Sequence, residues 1–490
     1  MRIHLPEKKD HKIKFFGLIV GLAVFLIVSQ LNVFSSLTHE ARMTAAVGSL
    51  MAIWWATEAI PIPVTSLLPL VLLPLLGSFE VKPLASSYGH PLIFLFLGGF
   101  IIAIAMERWH LHKRIALNIL GVFGTSSERI ILGFMISSAA ISMWVTNTAT
   151  TMMMLPIALS IIEIYRPYFL KISPKYANNF SVSLLLGTAY AANIGGVATL
   201  VGTVPNALFA AFMESHYHYS ISFLDWIKIG LPMALCLLPI AWFALTKVFF
   251  RFPNIAIDSA DDFVNAQLLK LGPMTSQEKS ISIVLGLTCS AWVFKSFIEE
   301  SLFGGQKISD STIALAGATL LFLIPSDLKS YQFLITWHDA KKLPWGLLLL
   351  FGGGLALATA ISQSGLSVAI GDSLDSLDRP SVFTVMIVTS CLVIFLTELT
   401  SNIATTATFL PICASLIQQP SDAAMVLIPV TICASCAFML PVATPPNAIV
   451  FGSGEIKIRD MIKVGFALNI MSLIVITALG YFWIPMIIEL

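Results

Sequence analysis

Apolar runs long enough to cross about 30 Å of hydrocarbon recur along this chain, near residues 15–35, 41–57, 61–77, 91–107, 226–250, 278–297, 310–325, 344–362 and 460–488. Two more, 181–213 and 422–452, are interrupted in the middle by Gly and Pro. A further two, 128–164 and 381–418, are split by a polar knot: Trp144-Val145-Thr146-Asn147-Thr148 in one and Thr400-Ser401-Asn402-Ile403 in the other. Each of these is long enough for a helix, a turn and a second helix. We read them as re-entrant hairpins whose tips stop inside the protein. The pattern predicts an all-α polytopic membrane protein with about 11 transmembrane helices and two re-entrant hairpins.

Composition agrees: 57% of the 490 residues are hydrophobic and 11% charged, whereas soluble domains carry about 25% charged residues. The net charge of +1 gives no field for a polyanion, so nucleic acid is not an expected partner. Residues 1–14 hold Arg2, Lys8, Lys9, Lys12 and Lys14 ahead of an apolar run with no small-residue cleavage site, which reads as a cytoplasmic segment before a retained first transmembrane helix, 15–40. With the N-terminus inside and neither hairpin crossing, only Arg42, Lys82, Lys228, Lys295, Lys307 and Arg379 of 28 basic residues fall outside. That is the asymmetry of the positive-inside rule; a bacterial inner membrane is the expected location.

The two halves echo each other. Leu97-Gly98-Gly99 returns as Phe351-Gly352-Gly353, Thr146-Asn147-Thr148-Ala149-Thr150-Thr151 as Ser401-Asn402-Ile403-Ala404-Thr405-Thr406, and Pro205-Asn206-Ala207 as Pro446-Asn447-Ala448. Under the charge-derived topology the units 41–250 and 278–490 enter the membrane from opposite sides. They are expected to be inverted repeats joined by a polar, acidic linker at 251–277, with the site between them at the midplane.

Polar backbone at membrane depth is tolerated where it is buried or lines an aqueous cavity. Four such places occur, the two tips and the two interrupted runs, and they hold no Lys or Arg. The half-helix after each tip offers free N–H groups and a positive dipole end to a carboxylate. Free carbonyls of the unwound segments, with Ser, Thr and Asn oxygens, make a hard-oxygen cage suited to Na⁺. Co-bound cations would balance an anion that no fixed cation meets, which points to cation-coupled symport. Thr203, Pro205 and Pro446, at the interruptions, are candidates to line the substrate pocket. Taken singly, such residues often only join or bend helices; their duplication argues for function.

Glu58 and Glu398 are intramembrane carboxylates open to two readings, proton relay or structural hydrogen bonding. His110, His112, His216 and His218 read as solvated interface residues. Cys433 and Cys436 have C-x-x-C spacing, but with no His or second Cys pair nearby they read as small core residues. The apolar spans show neither a nucleophile with its base nor a metal cluster, so an enzyme is not expected.

With Trp54-Trp55-Ala56-Thr57-Glu58-Ala59-Ile60-Pro61, the paired tips and Ala443-Thr444-Pro445-Pro446-Asn447-Ala448, the chain resembles the divalent anion:sodium symporter family, the INDY-type dicarboxylate carriers, from Thr44 onward. The resemblance implies a homodimer in which a transport domain, holding both hairpins and both broken helices, moves against a scaffold as an elevator. It implies substrate contacts from Asn147, Thr148, Asn402 and Ile403. It implies sodium ligands from Ser142, Thr146, Asn147, Gly195 and Gly196, and in the second half from Thr397, Ser401, Asn402, Ala443 and Thr444. Thr146 stands where the family has Ser, keeping a hydroxyl; Ile403 stands where it has Thr, losing a donor. The expected function is Na⁺-driven symport of succinate-, malate- or fumarate-like dianions. The rivals are a sodium-independent dicarboxylate exchanger and a carrier of citrate or sulfate.

Overall fold

The structure is a computed structural model and describes residues 8–30, 37–77, 79–124, 126–327, 331–366, 369, 381–417 and 420–488. Residues 1–7 of the expected cytoplasmic segment and Gln418, at the end of the second expected hairpin, lie outside these.

Helix α1 (Lys8–Gln30) runs antiparallel to α2 (His39–Thr57): Gly17 abuts Thr57, and Gly21 abuts Trp54 and Leu50. Glu58 closes α2 at φ 47°. Its carboxylate is 52% exposed and 3.5 Å from Lys14 Nζ, so Glu58 is not enclosed by protein and faces a cation at the end of α2. The expected span 61–77 is two pieces, α3 (Ile62–Thr65) and α4 (Leu68–Leu76), because prolines at 61, 63, 69 and 74 remove donors and crowd the preceding turns. After α5 (Val81–Ser86) and α6 (Pro91–Arg108) comes α7 (Leu111–Phe123), a helix not anticipated. Its buried residues, Leu111, His112, Ala116, Leu117 and Leu120, recur at helical spacing. His112 is therefore buried, its Nδ1 2.9 Å from the Met106 carbonyl, and not the solvated residue expected.

The first tip separates α8 (Ser127–Ser142) from α9 (Asn147–Ile172); α10 (Pro174–Val197), α11 (Val204–Tyr217) and α12 (Phe223–Phe243) follow, the last continued by a π-helical turn, Ala244–Phe249. The linker is not structureless: α13 (Asp258–Leu271) packs on α7, burying Ala260 and Val264. Arg114 ties this region to α14 (Ser276–Val293). It bonds Glu278 through Nε at 2.8 Å and the Gly272 carbonyl through Nη1 at 2.9 Å. The expected span 278–297 turns by 87° into α15 (Lys295–Phe303). Beyond α16 (Asp310–Leu323) a small antiparallel pair, β1 (Pro325–Asp327) with β2 (Gln332–Phe333), interrupts the otherwise helical chain. Then come α17 (Trp337–Ala340), α18 (Trp345–Gln363), α19 (Val382–Leu396), α20 (Asn402–Ser415), α21 (Pro420–Ser435), α22 (Pro445–Phe451) and α23 (Ile458–Phe482).

Among the described residues six helical segments are long and apolar enough to cross a membrane, or seven if the bent pair α14–α15 counts as one. Five further apolar helices are shorter. This is a polytopic all-α membrane protein. One span differs from the rest: the membrane-length window of α10 is completely buried, so protein surrounds it on every side. Polar backbone can leave the helical ladder at its end because no lipid reaches it.

Candidate substrate and cation site

At the first tip, Thr146 caps α9, its Oγ1 accepting from the Ala149 amide at 3.3 Å. Across the turn, the Ser142 hydroxyl donates to Asn147 Oδ1 at 2.6 Å. At the second tip, Thr397 Oγ1 lies 2.7 Å from Asn402 Oδ1 and 2.8 Å from the Ala434 carbonyl. The resemblance extends to the next turn, where Thr151 bonds the Asn147 carbonyl at 2.9 Å and Thr406 the Asn402 carbonyl at 2.8 Å. Three positions related by a single offset of 255 residues thus make the same bonds.

The two interruptions are also alike. Thr203 precedes α11 at φ −144°, ψ 147°, and Thr444 precedes α22 at φ −140°, ψ 149°. Pro205 and Pro446 sit in the first turns that follow, where a missing N–H costs nothing. The next residue does the main work. Asn206 Nδ2 reaches the carbonyls of Gly196, Val197 and Thr199 at 3.1, 3.2 and 2.8 Å. Asn447 Nδ2 reaches those of Ala437 and Leu440 at 2.9 and 3.1 Å. The expectation of free carbonyls at the breaks is thereby corrected: these are already accepting from a side chain. A carbonyl has two lone pairs, and three of these are used twice: Val197 also accepts from Trp226 Nε1 at 2.9 Å, Thr199 from the Gly202 amide at 3.3 Å and Leu440 from the Ala443 amide at 3.2 Å.

The halves differ at Glu398. This carboxylate is buried and accepts from the amides of Phe438, Met439 and Leu440 at 2.7, 2.9 and 3.1 Å, and from Asn469 Nδ2 at 2.8 Å. It stands in for the helical carbonyls these amides have lost, which favours the structural reading over the relay. The same offset of 255 places Met143 opposite Glu398. There the backbone carbonyl of Met143 accepts from Thr199 Oγ1 at 2.6 Å.

The candidates fall into groups. Ser142, Asn147 and Gly196 are together: a Cβ on Gly196 would stand 2.7 Å from Asn147 Oδ1. Gly195 is within α10, its carbonyl accepting from the Ala198 amide at 3.0 Å, and it presses against the Ala139 backbone of α8. Asn147 Nδ2 continues to Asn193 Oδ1 at 3.3 Å, and Asn193 Nδ2 to Thr444 Oγ1 at 3.2 Å, so Thr444 joins the first group as well as capping α22. Thr397 and Asn402 make the second group. Thr148, Thr203, Ser401 and Ile403 are partly exposed and, among the described residues, make no side-chain hydrogen bond to the other candidates. Ala443, Pro205 and Pro446 are buried. The sequence reading missed the roles of Asn193, Asn206, Asn447 and Asn469. For Asn206 and Asn447, their repetition after Pro was the available signal. Asn193 and Asn469 have no such echo.

Chemically, hydroxyl and amide oxygens meet helix N-termini here, and the tips and interruptions contain no Lys or Arg. Such an arrangement suits a small cation and an anion held together more than either alone.

Residues 12–490 match the family described as the sodium:sulfate symporter transmembrane region. The chain is 41% identical over 483 residues to the sodium-dependent dicarboxylate transporter SdcS of Staphylococcus saprophyticus, covering 98% of this chain and 93% of that protein. It is 41% identical over 477 residues to SdcS of Staphylococcus aureus strain USA300, covering 97% and 92%. The solved structure of Neisseria gonorrhoeae MtrF, from a class described as antimetabolite efflux pumps, superposes with a TM-score of 0.56 at 11% identity, over 94% of this chain and 97% of MtrF. That is a likeness of fold alone. The matched family and the SdcS relatives are transporters and not enzymes. On a match that spans almost the whole length, this chain belongs to the divalent anion:sodium symporter family.

Proposed function

We propose that this protein is a sodium-coupled symporter that imports C4-type dicarboxylates such as succinate, malate and fumarate across a bacterial plasma membrane. The observation that carries the reading is the duplicated hydroxyl–asparagine pair, Ser142 with Asn147 and Thr397 with Asn402, each at the start of a half-helix. Sodium-dependent dicarboxylate transport in the SdcS relatives supports it. Sodium would be held at the first tip by Ser142, Thr146, Asn147 and the Gly195–Gly196 backbone, and at the second by Thr397, Ser401, Asn402, Ala443 and Thr444. The dianion would lie between Asn147-Thr148 and Asn402-Ile403, with Thr203, Pro205 and Pro446 lining the pocket.

The remaining architecture belongs to the same proposal. Residues 41–250 and 278–490 are inverted repeats, 128–164 and 381–418 are re-entrant hairpins, and the N-terminus is cytoplasmic. A homodimer of fixed scaffolds lets each transport domain carry its cargo as an elevator. With more than two Na⁺ per dianion the cycle moves net positive charge inward, and the membrane potential contributes about 2.3 kcal/mol per charge at 100 mV.

Labelled succinate uptake into proteoliposomes, with and without an inward sodium gradient, tests this. Uptake indifferent to sodium eliminates symport and leaves the exchanger. Because the matched family description names sulfate, unlabelled sulfate and citrate are included as competitors; strong competition by sulfate and none by C4 acids would reassign the cargo.

A further inference from the structure

We propose that Asn193 is a positioning residue that couples the two cation half-sites, so that sodium captured at one raises the affinity of the other; this rests on the sodium-coupled reading above. Asn193 belongs to neither tip and to neither set of ion ligands. It is 1% exposed, in the last turns of α10, within the part of that helix that is completely buried. Its two amide ends are nevertheless both spoken for: Oδ1 accepts from Asn147 Nδ2 at 3.3 Å and Nδ2 donates to Thr444 Oγ1 at 3.2 Å. Since Asn147 already holds Ser142 at 2.6 Å, the four side chains Ser142, Asn147, Asn193 and Thr444 form one continuous line from the first tip to the second interruption. An amide is a donor at one end and an acceptor at the other, so turning Asn193 over sets donor against donor, and turning Asn147 over sets acceptor against acceptor, unless the other turns as well. The line therefore has a single sense at any moment, set jointly by both of its ends.

The connection has no counterpart. The offset of 241 residues that relates Asn206 to Asn447 relates Asn193 to Ala434, which has no polar side chain and offers only its carbonyl, taken by Thr397 at 2.8 Å. The backbone of the two halves is also joined by Tyr190, whose hydroxyl donates to the Phe438 carbonyl at 2.7 Å, but Tyr190 ends on no candidate ligand. Asn193 ends on one at each side. A cation on Asn147 Oδ1 fixes that amide, which fixes Asn193, which fixes the Thr444 rotamer. The second cation then meets a site whose ordering has already been met, and positive cooperativity follows.

The test is sodium activation of succinate uptake by the full-length protein in proteoliposomes, at saturating succinate, for wild type, Asn193→Ala and Asn193→Ser. Neither replacement can span from Asn147 to Thr444. Wild type is expected to show a Hill slope above 1. Both variants should keep the maximal rate within about threefold, with the slope falling below that of wild type toward the value for independent sites and half-saturating sodium rising about fivefold or more. An Asn193 that only packs the fold would lower the melting temperature and leave the slope where it was. An unchanged slope in the folded variants therefore overturns the coupling, and Asn193→Ser decides if Asn193→Ala does not fold. A wild type with no sodium dependence is a separate failure, of the symport reading itself.

Discussion

Thr397 Oγ1 sits 2.7 Å from Asn402 Oδ1, across the turn that parts α19 from α20. The hydroxyl orients the amide oxygen while the Asn backbone begins a helix, so under the proposed function one residue would offer a cation ligand and a helix start to an anion together. The same holds for Ser142 and Asn147. Asn147→Ala and Asn402→Ala are each expected to cut sodium-driven succinate uptake by more than about tenfold, equivalent to about 1.4 kcal/mol, with insertion and solubilised size unchanged. Near-normal uptake in both variants would show that the tips are only helix-to-helix joints.

Ile403 follows Asn402 and is partly exposed at that tip. In the proposed pocket, Ile403→Thr would add a hydroxyl to an apolar wall. It should alter the order in which succinate, malate, fumarate and citrate compete for uptake. An unchanged panel would mean that this side chain does not reach the cargo.

Asn206 and Asn447 hold the carbonyls of the two interruptions. Asn206→Ala and Asn447→Ala take a donor away from buried carbonyls, and each should destabilise the detergent-solubilised protein by about 1–3 kcal/mol, read as a lowered melting midpoint. Asn206→Asp should be worse than Asn206→Ala, because a carboxylate would then face three carbonyls. A melting curve indifferent to all three changes would contradict the capping role.

Asp339, at the start of α17, gives a pH signature. Burial alone would raise its carboxyl. Bonds from Thr336, at 3.0 Å from the amide and 2.6 Å from the hydroxyl, outweigh that together with Arg108 and Lys342 and hold it below the ordinary carboxylate value. A lowered folded value stabilises fully above the unfolded value of about 3.9 and is lost as pH falls through the folded one. Thermal stability should therefore be steady at mildly acid and neutral pH and decline below about pH 4. Asp339→Asn should remove this component of the decline and cost about 1–3 kcal/mol at neutral pH. An identical acid limb in the variant would place the titration elsewhere.

Much of this was legible in the residues. Long apolar runs fix where helices must lie, since lipid leaves the backbone no other partner, and α9 and α20 begin at Asn147 and Asn402, the polar knots of the sequence. What escaped were features without a run or a repeat. Helix α7 is too polar on one face to read as a span, and α13 lies in a stretch whose acids suggested solvent. The prolines of 61–74 were visible, yet the apolar count through them outweighed their local effect. The site was legible where it was duplicated, at the two tips and the two Pro-Asn pairs. Asn193 and Asn469 occur once each, and only three-dimensional proximity to Thr444 and Glu398 gives them meaning. The carbonyls of the interruptions looked free because nothing in a linear sequence shows an amide folding back from a few residues on.

Gly195 meets the Ala139 backbone so closely that even a methyl group would collide, and at the very next residue Asn147 fills the space over Gly196. Surfaces meshed this tightly leave no play for slippage. Helices α8 and α10, meshed in this way, are expected to travel as one body, so that movement of the first tip would carry α10 with it.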